Sequence, residues 1–292
     1  MKNALEVSHL TKDYGSFKLD DVSFTVPGGT IMGLIGENGA GKSTTIKCIL
    51  NLIRRDGGEI QVLGLDNLAD ERAVKAQVGV VLDETTFHDG LSAPQVGNIL
   101  ARLYPGWDGA LYQHYLEKFG LTSKKLVKTF SKGMKMKIGI AVAMSHHPKL
   151  LILDEATSGL DPVVRDDATS GLDPVVRDEI LDEFLAFIQD EEHAILLSSH
   201  ITSDLEKVAD YVTYLHRGRV AVSGAKDELL DTYGKLVCGR SELERVDPAL
   251  LVGVRSGQFG CEALVKNRRA FARFHPELAV EPVSLEDIMV FT

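Results

Sequence analysis

The chain is poor in cysteine. It has three in 292 residues, Cys48, Cys238 and Cys261, far apart in sequence. That excludes a disulfide framework or a CxxC metal site, and a reducing compartment such as the cytosol fits best. It has no apolar run near the roughly 20 residues that a membrane span needs. A role at a membrane must therefore come through a partner chain. The opening Met1-Lys2-Asn3-Ala4-Leu5-Glu6 lacks the apolar segment of a signal peptide. Positive charge is also in deficit, and the net charge of −10 argues against nucleic acid as a main partner. What remains is an ordinary globular composition, 44% hydrophobic and 25% charged. It suffices for one large or two modest domains.

One stretch organises the rest. Gly36-Glu37-Asn38-Gly39-Ala40-Gly41-Lys42-Ser43-Thr44 has the G-x-x-x-x-G-K-S form of a phosphate-binding P-loop. Thr30–Ile35 before it reads as a buried strand, and Thr45–Leu50 after it begins a helix. Gly39 and Gly41 let the backbone turn so that successive N–H groups face one anion. The helix start adds its partial positive charge. Lys42 can reach the β- and γ-phosphates, and the Ser43 hydroxyl can bind Mg²⁺.

Around this loop, short strands dominate first. Leu5–Leu10 and Val22–Val26 alternate with period two, and Pro27-Gly28-Gly29 is a turn. Residues 58–65 and 77–82 read as two more strands. From Ser92 to about Met144 the period becomes helical, with Trp107 packed inside this block. Leu150–Leu153 and Ala194–Ser198 are buried strands, and residues 179–190 form an amphipathic helix. Val212–Leu215 and Val220–Val222 form a hairpin around Arg217-Gly218. Strands alternating with helices after residue 30 predict a largely parallel sheet. Beyond Ala225 the pattern weakens. Lys235–Cys238 and Glu262–Val265 read as strands, and Ser284 caps a short terminal helix.

Leu150-Leu151-Ile152-Leu153-Asp154-Glu155 is an apolar strand ending in two carboxylates. Near a P-loop, Asp154 can hold Mg²⁺ through its water shell. Glu155 is placed to polarise an attacking water as general base.

Together these residues resemble the ATPase subunit of an ABC transporter over about residues 4–222. Tyr14 in Thr11-Lys12-Asp13-Tyr14-Gly15 matches the aromatic that stacks on adenine. Phe130-Ser131-Lys132-Gly133-Met134-Lys135 matches the signature motif, in which Ser131 and the Gly133 backbone bind the γ-phosphate held by the other subunit. Ser158-Gly159-Leu160-Asp161 matches the D-loop. Ser198-Ser199-His200 matches the switch histidine, with His200 contacting the γ-phosphate.

Two positions depart from the family. Lys132 stands where the signature usually has glycine; a basic side chain near phosphate is not adverse, but backbone freedom is lost. Asp83, followed by Glu84, stands where the Q-loop glutamine is expected; Asp can still ligate Mg²⁺. Such substitutions resemble bacterial subunits of the bacitracin-resistance type. The Lys124, Lys125, Lys128, Lys132, Lys135 and Lys137 series reads as a solvated face.

The resemblance implies an α/β fold: a P-loop NTPase core of ABC type with an antiparallel β subdomain, a helical insertion at about 85–149 and a small C-terminal α/β domain. The division is 1–224 and 225–292. It implies ATP and Mg²⁺ as cofactors, and Ser43, Asp83 and Asp154 as metal ligands. It also implies a head-to-tail dimer with a second ATPase subunit, the same or different, and a membrane-spanning permease on whose cytoplasmic face the chain sits, most simply in an exporter. The alternative is a soluble ABC-type ATPase that remodels a ribosome or DNA complex. The translation factors of that type carry two cassettes, and here there is one P-loop. An unrelated P-loop kinase or GTPase would leave Ser131–Gly133 and His200 unexplained.

One feature is foreign to that pattern. Ala156–Asp166 recurs unchanged as Ala168–Asp178. Only the first copy has the D-loop spacing from Glu155. In the second, Pro174 suits the first turn of a helix. The main helix is therefore predicted to begin near Pro174, with an extra turn or short loop before it.

Overall fold

The computed structural model describes residues 2–82, 87–121, 124–155, 174–257 and 260–292. Strands β1 (Asn3–Asp13) and β2 (Lys18–Pro27) open the chain, followed by β3 (Ile31–Ile35) and helix α1 (Lys42–Ile49). Then come β4 (Gly57–Val62), β5 (Leu65–Asp66), α2 (Glu71–Lys75) and β6 (Val78–Val81). The helical block is α3 (Ala93–Leu100), α4 (Gly109–Lys118) and α5 (Lys132–Met144). The core closes with β7 (Leu150–Asp154), α6 (Pro174–Phe187), β8 (Ala194–Ser199), α7 (Thr202–Val208) and the hairpin β9 (Tyr211–His216) and β10 (Arg219–Ala225). The remainder is α8 (Lys226–Thr232), β11 (Tyr233–Cys238), α9 (Arg240–Leu243), β12 (Leu251–Ser256), β13 (Cys261–Lys266), α10 (Arg268–Phe274), β14 (Val280–Glu281) and α11 (Leu285–Phe291).

Three sheets result. An antiparallel sheet has the order β2-β1-β4-β5, and β2 alternates buried and exposed residues because only one face is covered. The central sheet has the order β10-β9-β3-β8-β7-β6. Its pairs are parallel except for the β9–β10 hairpin. β3, β7 and β8 are buried at every position, which is why they read as unbroken apolar runs. The third sheet, β12-β13-β11-β14, is antiparallel.

Two predicted boundaries shift for local reasons. The stretch 58–65 breaks after Val62, because Leu63 and Gly64 both adopt positive φ and form a tight turn before β5. The helix predicted over 179–190 ends at Phe187. Asp190, Glu191 and Glu192 follow, and negative charge is unfavourable at a helix C-terminus. The helix start at Pro174 agrees with the sequence reading. The other half of that reading, the D-loop Ser158–Asp161 and the segment after it, lies outside the described residues.

The terminal helix packs on β12 and β13 of its own sheet and also on α7 of the ATPase core. Ser284 caps it, accepting from the Asp287 N–H at 3.0 Å. Leu285, Ile288 and Phe291 are buried in the same cluster as Ile31, Leu205 and Tyr214 of the central core. The Leu285 N–H donates to Glu206 Oε1 of α7 at 2.6 Å. The helix therefore ties the C-terminal strands to α7. Among the described residues, no helix is long and apolar enough to cross a membrane.

Candidate functional site

Strand order builds the site. β3, β8 and β7 are consecutive neighbours running in parallel, so their C-terminal ends lie side by side. The loops after them carry Gly36–Gly41, His200 and Glu155. This is the edge at which open α/β sheets bind ligands.

The P-loop turns through Gly39 at φ +83° and Gly41 at φ +111°. Gly41 has a second constraint: a Cβ there would lie 2.5 Å from Leu19 Cδ2 and 3.0 Å from Phe17 Cζ. The antiparallel sheet thus presses on the loop. Glu37, Asn38 and Gly39 are exposed, whereas Gly36, Ala40 and Lys42 are buried and Ser43 and Thr44 are half-buried. Thr45, fully buried, bonds back to the Gly41 carbonyl at 2.9 Å and fixes the first turn of α1.

Lys42 folds back over its own loop. Its Nζ donates to the Gly36 carbonyl at 2.7 Å and lies 3.2 Å from Glu155 Oε1. Glu155 Oε2 meets His200 Nδ1 at 2.7 Å. Asp154 is buried, and its Oδ1 accepts from Ser198 Oγ at 2.6 Å. Lys42, the adjacent Asp154 and Glu155, and His200, from three distant stretches of the chain, thus share one cluster. Ser198 belongs to it too and was missed as a participant. The only signal for it was its place two residues before His200.

Other predicted residues lie outside this cluster. Tyr14 is 51% exposed, with Lys12 Nζ 5.4 Å from its ring centre. Phe17, unremarked in the sequence, is the aromatic that touches the P-loop turn. Ser131 caps α5, its Oγ accepting from the Met134 N–H at 3.2 Å; Lys132 is exposed and Gly133 buried. Asp83 and Glu84 lie outside the described residues, as does Ser158–Asp161.

Comparison with known proteins gives the family. The ABC transporter family model matches residues 19–158. The chain is 36% identical over 223 residues to the bacitracin transport ATP-binding protein BcrA of Bacillus licheniformis, covering 75% of this chain and 69% of that one. It is 33% identical to the lantibiotic transport ATP-binding protein SrtF of Streptococcus pyogenes, covering 76% and 91%. It is 31% identical to the daunorubicin/doxorubicin resistance ATP-binding protein DrrA of Streptomyces peucetius, covering 83% and 74%. A solved structure described as an ATP binding subunit of an ABC transporter superposes with a TM-score of 0.67 at 31% identity, covering 77% of this chain and 91% of that one. With a P-loop, two carboxylates and a histidine gathered at one sheet edge, the chain belongs to the ATP-binding subunits of ABC transporters, the ATPases that power transport.

Proposed function

We propose that Glu155 is the general base of ATP hydrolysis and that His200 orients it. The observation that carries this is the run of contacts from Lys42 through Glu155 to His200. Lys42 has a carboxylate as its partner where a γ-phosphate would bind. An arriving phosphate takes over Lys42 and releases the Glu155 carboxylate. The water oxygen then attacks the γ-phosphorus, Glu155 accepts the water proton, and ADP leaves. His200 Nδ1 holds the carboxylate in place, and the imidazole can then contact the γ-phosphate.

Ser43 and Asp154 offer hard oxygen donors suited to Mg²⁺, and α1 packs against β7, so the two elements that carry them adjoin. An Mg²⁺ ion held by these residues would supply positive charge to offset the negative charge that develops on the phosphates. Asp83 is assigned to the same ion. Tyr14, exposed at the surface with its N–H donating to the Phe17 carbonyl at 2.9 Å, stacks on the base. Ser131, Lys132 and Gly133 at the start of α5 complete the site of a second ATPase subunit in a head-to-tail dimer. Ser158–Asp161 is the D-loop at that interface.

The transport path belongs to a membrane-spanning permease, which this chain meets from the cytoplasmic side. A groove of about 240 Å³ offers such a permease a docking surface: Leu52, Val80, Leu82 and Tyr104 line it together with Asn67, Glu71 and Lys75, and Leu52 is 54% exposed. Relatives named for bacitracin and lantibiotic transport and for daunorubicin/doxorubicin resistance support an exporter. Residues 225–292 form an accessory unit to the ATPase part, 1–224.

The test is Glu155→Gln. It should keep ATP binding, lower hydrolysis by about 10²–10⁴-fold, and give an ATP-dependent dimer on size exclusion. Near-normal hydrolysis would overturn the base assignment.

A further inference from the structure

The parallel register of β7 and β8 sets Asp154 level with Ser198. Ser198 is fully buried. A serine hydroxyl has one hydrogen to give and two lone pairs to offer. Here it donates to Asp154 Oδ1 at 2.6 Å and accepts from the Glu155 backbone N–H at 3.0 Å. Glu155 has φ +51°. A non-glycine residue stays in that left-handed region only where its surroundings over-determine it. The bond to Ser198 is one such constraint, applied at the residue whose side chain meets both Lys42 and His200.

We propose that Ser198 is a positioning residue for ATP hydrolysis. Its one hydroxyl bridges the metal-binding carboxylate and the base, fixing the orientation of Asp154 and the backbone turn from which the Glu155 side chain projects. This rests on the roles given above to Asp154 and Glu155. Removing the hydroxyl leaves one buried carboxylate oxygen and one N–H to find new partners. The expected result is a looser site rather than weaker nucleotide binding, because Ser198 contacts neither the P-loop nor Tyr14 in the described hydrogen bonds.

The experiment compares Ser198→Ala, Ser198→Cys and Ser198→Thr in the full chain, with Glu155→Gln and Asp154→Asn alongside. Ala and Cys should lower kcat by about 10–100-fold, the usual effect of losing an outer partner of a metal site, with KM for ATP nearly unchanged. Thr, which keeps the hydroxyl, should recover most of kcat. A readout independent of turnover is the Mg²⁺ titration of binding of a fluorescent ATP analogue in the Glu155→Gln background. Adding Ser198→Ala should move its midpoint to about 10-fold higher Mg²⁺. If the alanine variant does not fold, the cysteine, close in size but a weak donor, carries the same comparison. A kcat within about twofold of wild type, or an unmoved Mg²⁺ titration, overturns the proposal; a structural role alone would lower thermal stability and leave both unchanged. Normal hydrolysis by Glu155→Gln would remove the base assignment and this proposal with it. An inactive Glu155→Gln beside a fully active Ser198→Ala would remove Ser198 alone.

Discussion

Lys42 Nζ lies 3.2 Å from Glu155 Oε1, with side-chain exposures of 5% and 13%. Two shielded charges thus satisfy one another at the place proposed for the γ-phosphate. Removing either partner leaves the other without its counter-charge. If phosphate binds at Lys42 as proposed, nucleotide binding exchanges one anion for another there. Glu155→Gln should bind ATP more tightly than wild type, by about 3–10-fold, because the competing carboxylate is gone. Lys42→Met should bind about 10–100-fold more weakly, the loss of one hydrogen bond to a charged group. Equilibrium binding of a fluorescent ATP analogue at fixed Mg²⁺ checks both. Weaker binding by Glu155→Gln would contradict the exchange.

The P-loop, the carboxylate pair and His200 were legible because each is a local pattern: a spacing, a strand end, a loop. Their partnership was not local. Lys42, Glu155 and His200 meet because β8 lies between β3 and β7, and nothing within any one of those strands encodes that order. The same limit hid Ser198, whose role depends on register with Asp154. It also hid Phe17, which reaches Gly41 only because the antiparallel sheet leans on the loop. The strands 235–238 and 262–265 were visible as apolar alternation. The docking of α11 on α7 was not, since it joins residues some eighty positions apart.

His146 supplies a pH signature. It is buried at the end of α5, stacks on Tyr104 with ring centres 4.4 Å apart, and its Nε2 donates to the Val78 carbonyl at 3.3 Å. Burial pushes its pKa below the usual histidine value, and the neighbouring His147 acts in the same direction. The unfolded chain therefore binds a proton at higher pH than the folded one. The stabilisation is complete above the unfolded value of about 6.5 and is lost as pH falls towards the lower folded value. The depressed carboxylates, such as Asp56 and Asp108, act only at more acidic pH. Melting temperature should thus fall between pH 7 and 5 by several degrees more in wild type than in His146→Phe, which keeps the ring stack. Parallel melting curves across that range would show that His146 takes up its proton as readily in the folded chain as in the unfolded one, which would contradict the lowered folded value.

The C-terminal unit should unfold with the core. Ile288 is 2% exposed and sits in the cluster that contains Ile31, Leu205 and Tyr214. Ile288→Ala should cost about 2–5 kcal/mol, the range for removing a buried aliphatic side chain. Urea denaturation followed by far-UV circular dichroism should show one transition, shifted to lower urea. If the variant shows two transitions with the larger unchanged, the C-terminal strands are energetically separate from the ATPase core.

The tandem repeat gives the last prediction. Helix α6 begins at Pro174, inside the second copy. The first copy carries the identical Pro162-Val163-Val164-Arg165-Asp166. Deleting 167–178 would join Asp166 to Glu179, so the same five residues would still open the helix. Its buried face, through Ile180, Leu181 and Phe184, would be untouched. Only the connection between Glu155 and that helix would shorten. Ser158–Asp161 keeps its spacing from Glu155 in either form, so the deletion leaves the D-loop sequence intact. The extra segment follows the D-loop in sequence, so if that loop meets the partner's nucleotide as proposed, the added chain would hinder closure. The deleted variant should fold with an unchanged melting temperature within a few degrees, and hydrolyse ATP faster, by about 2–10-fold. Because the helix and its packing stay the same, the gain would reflect easier closure of the dimer. Steady-state ATPase assays on the two forms, with size exclusion in ATP, measure it. Lower activity in the shortened chain would mean that the closed dimer depends on the inserted residues.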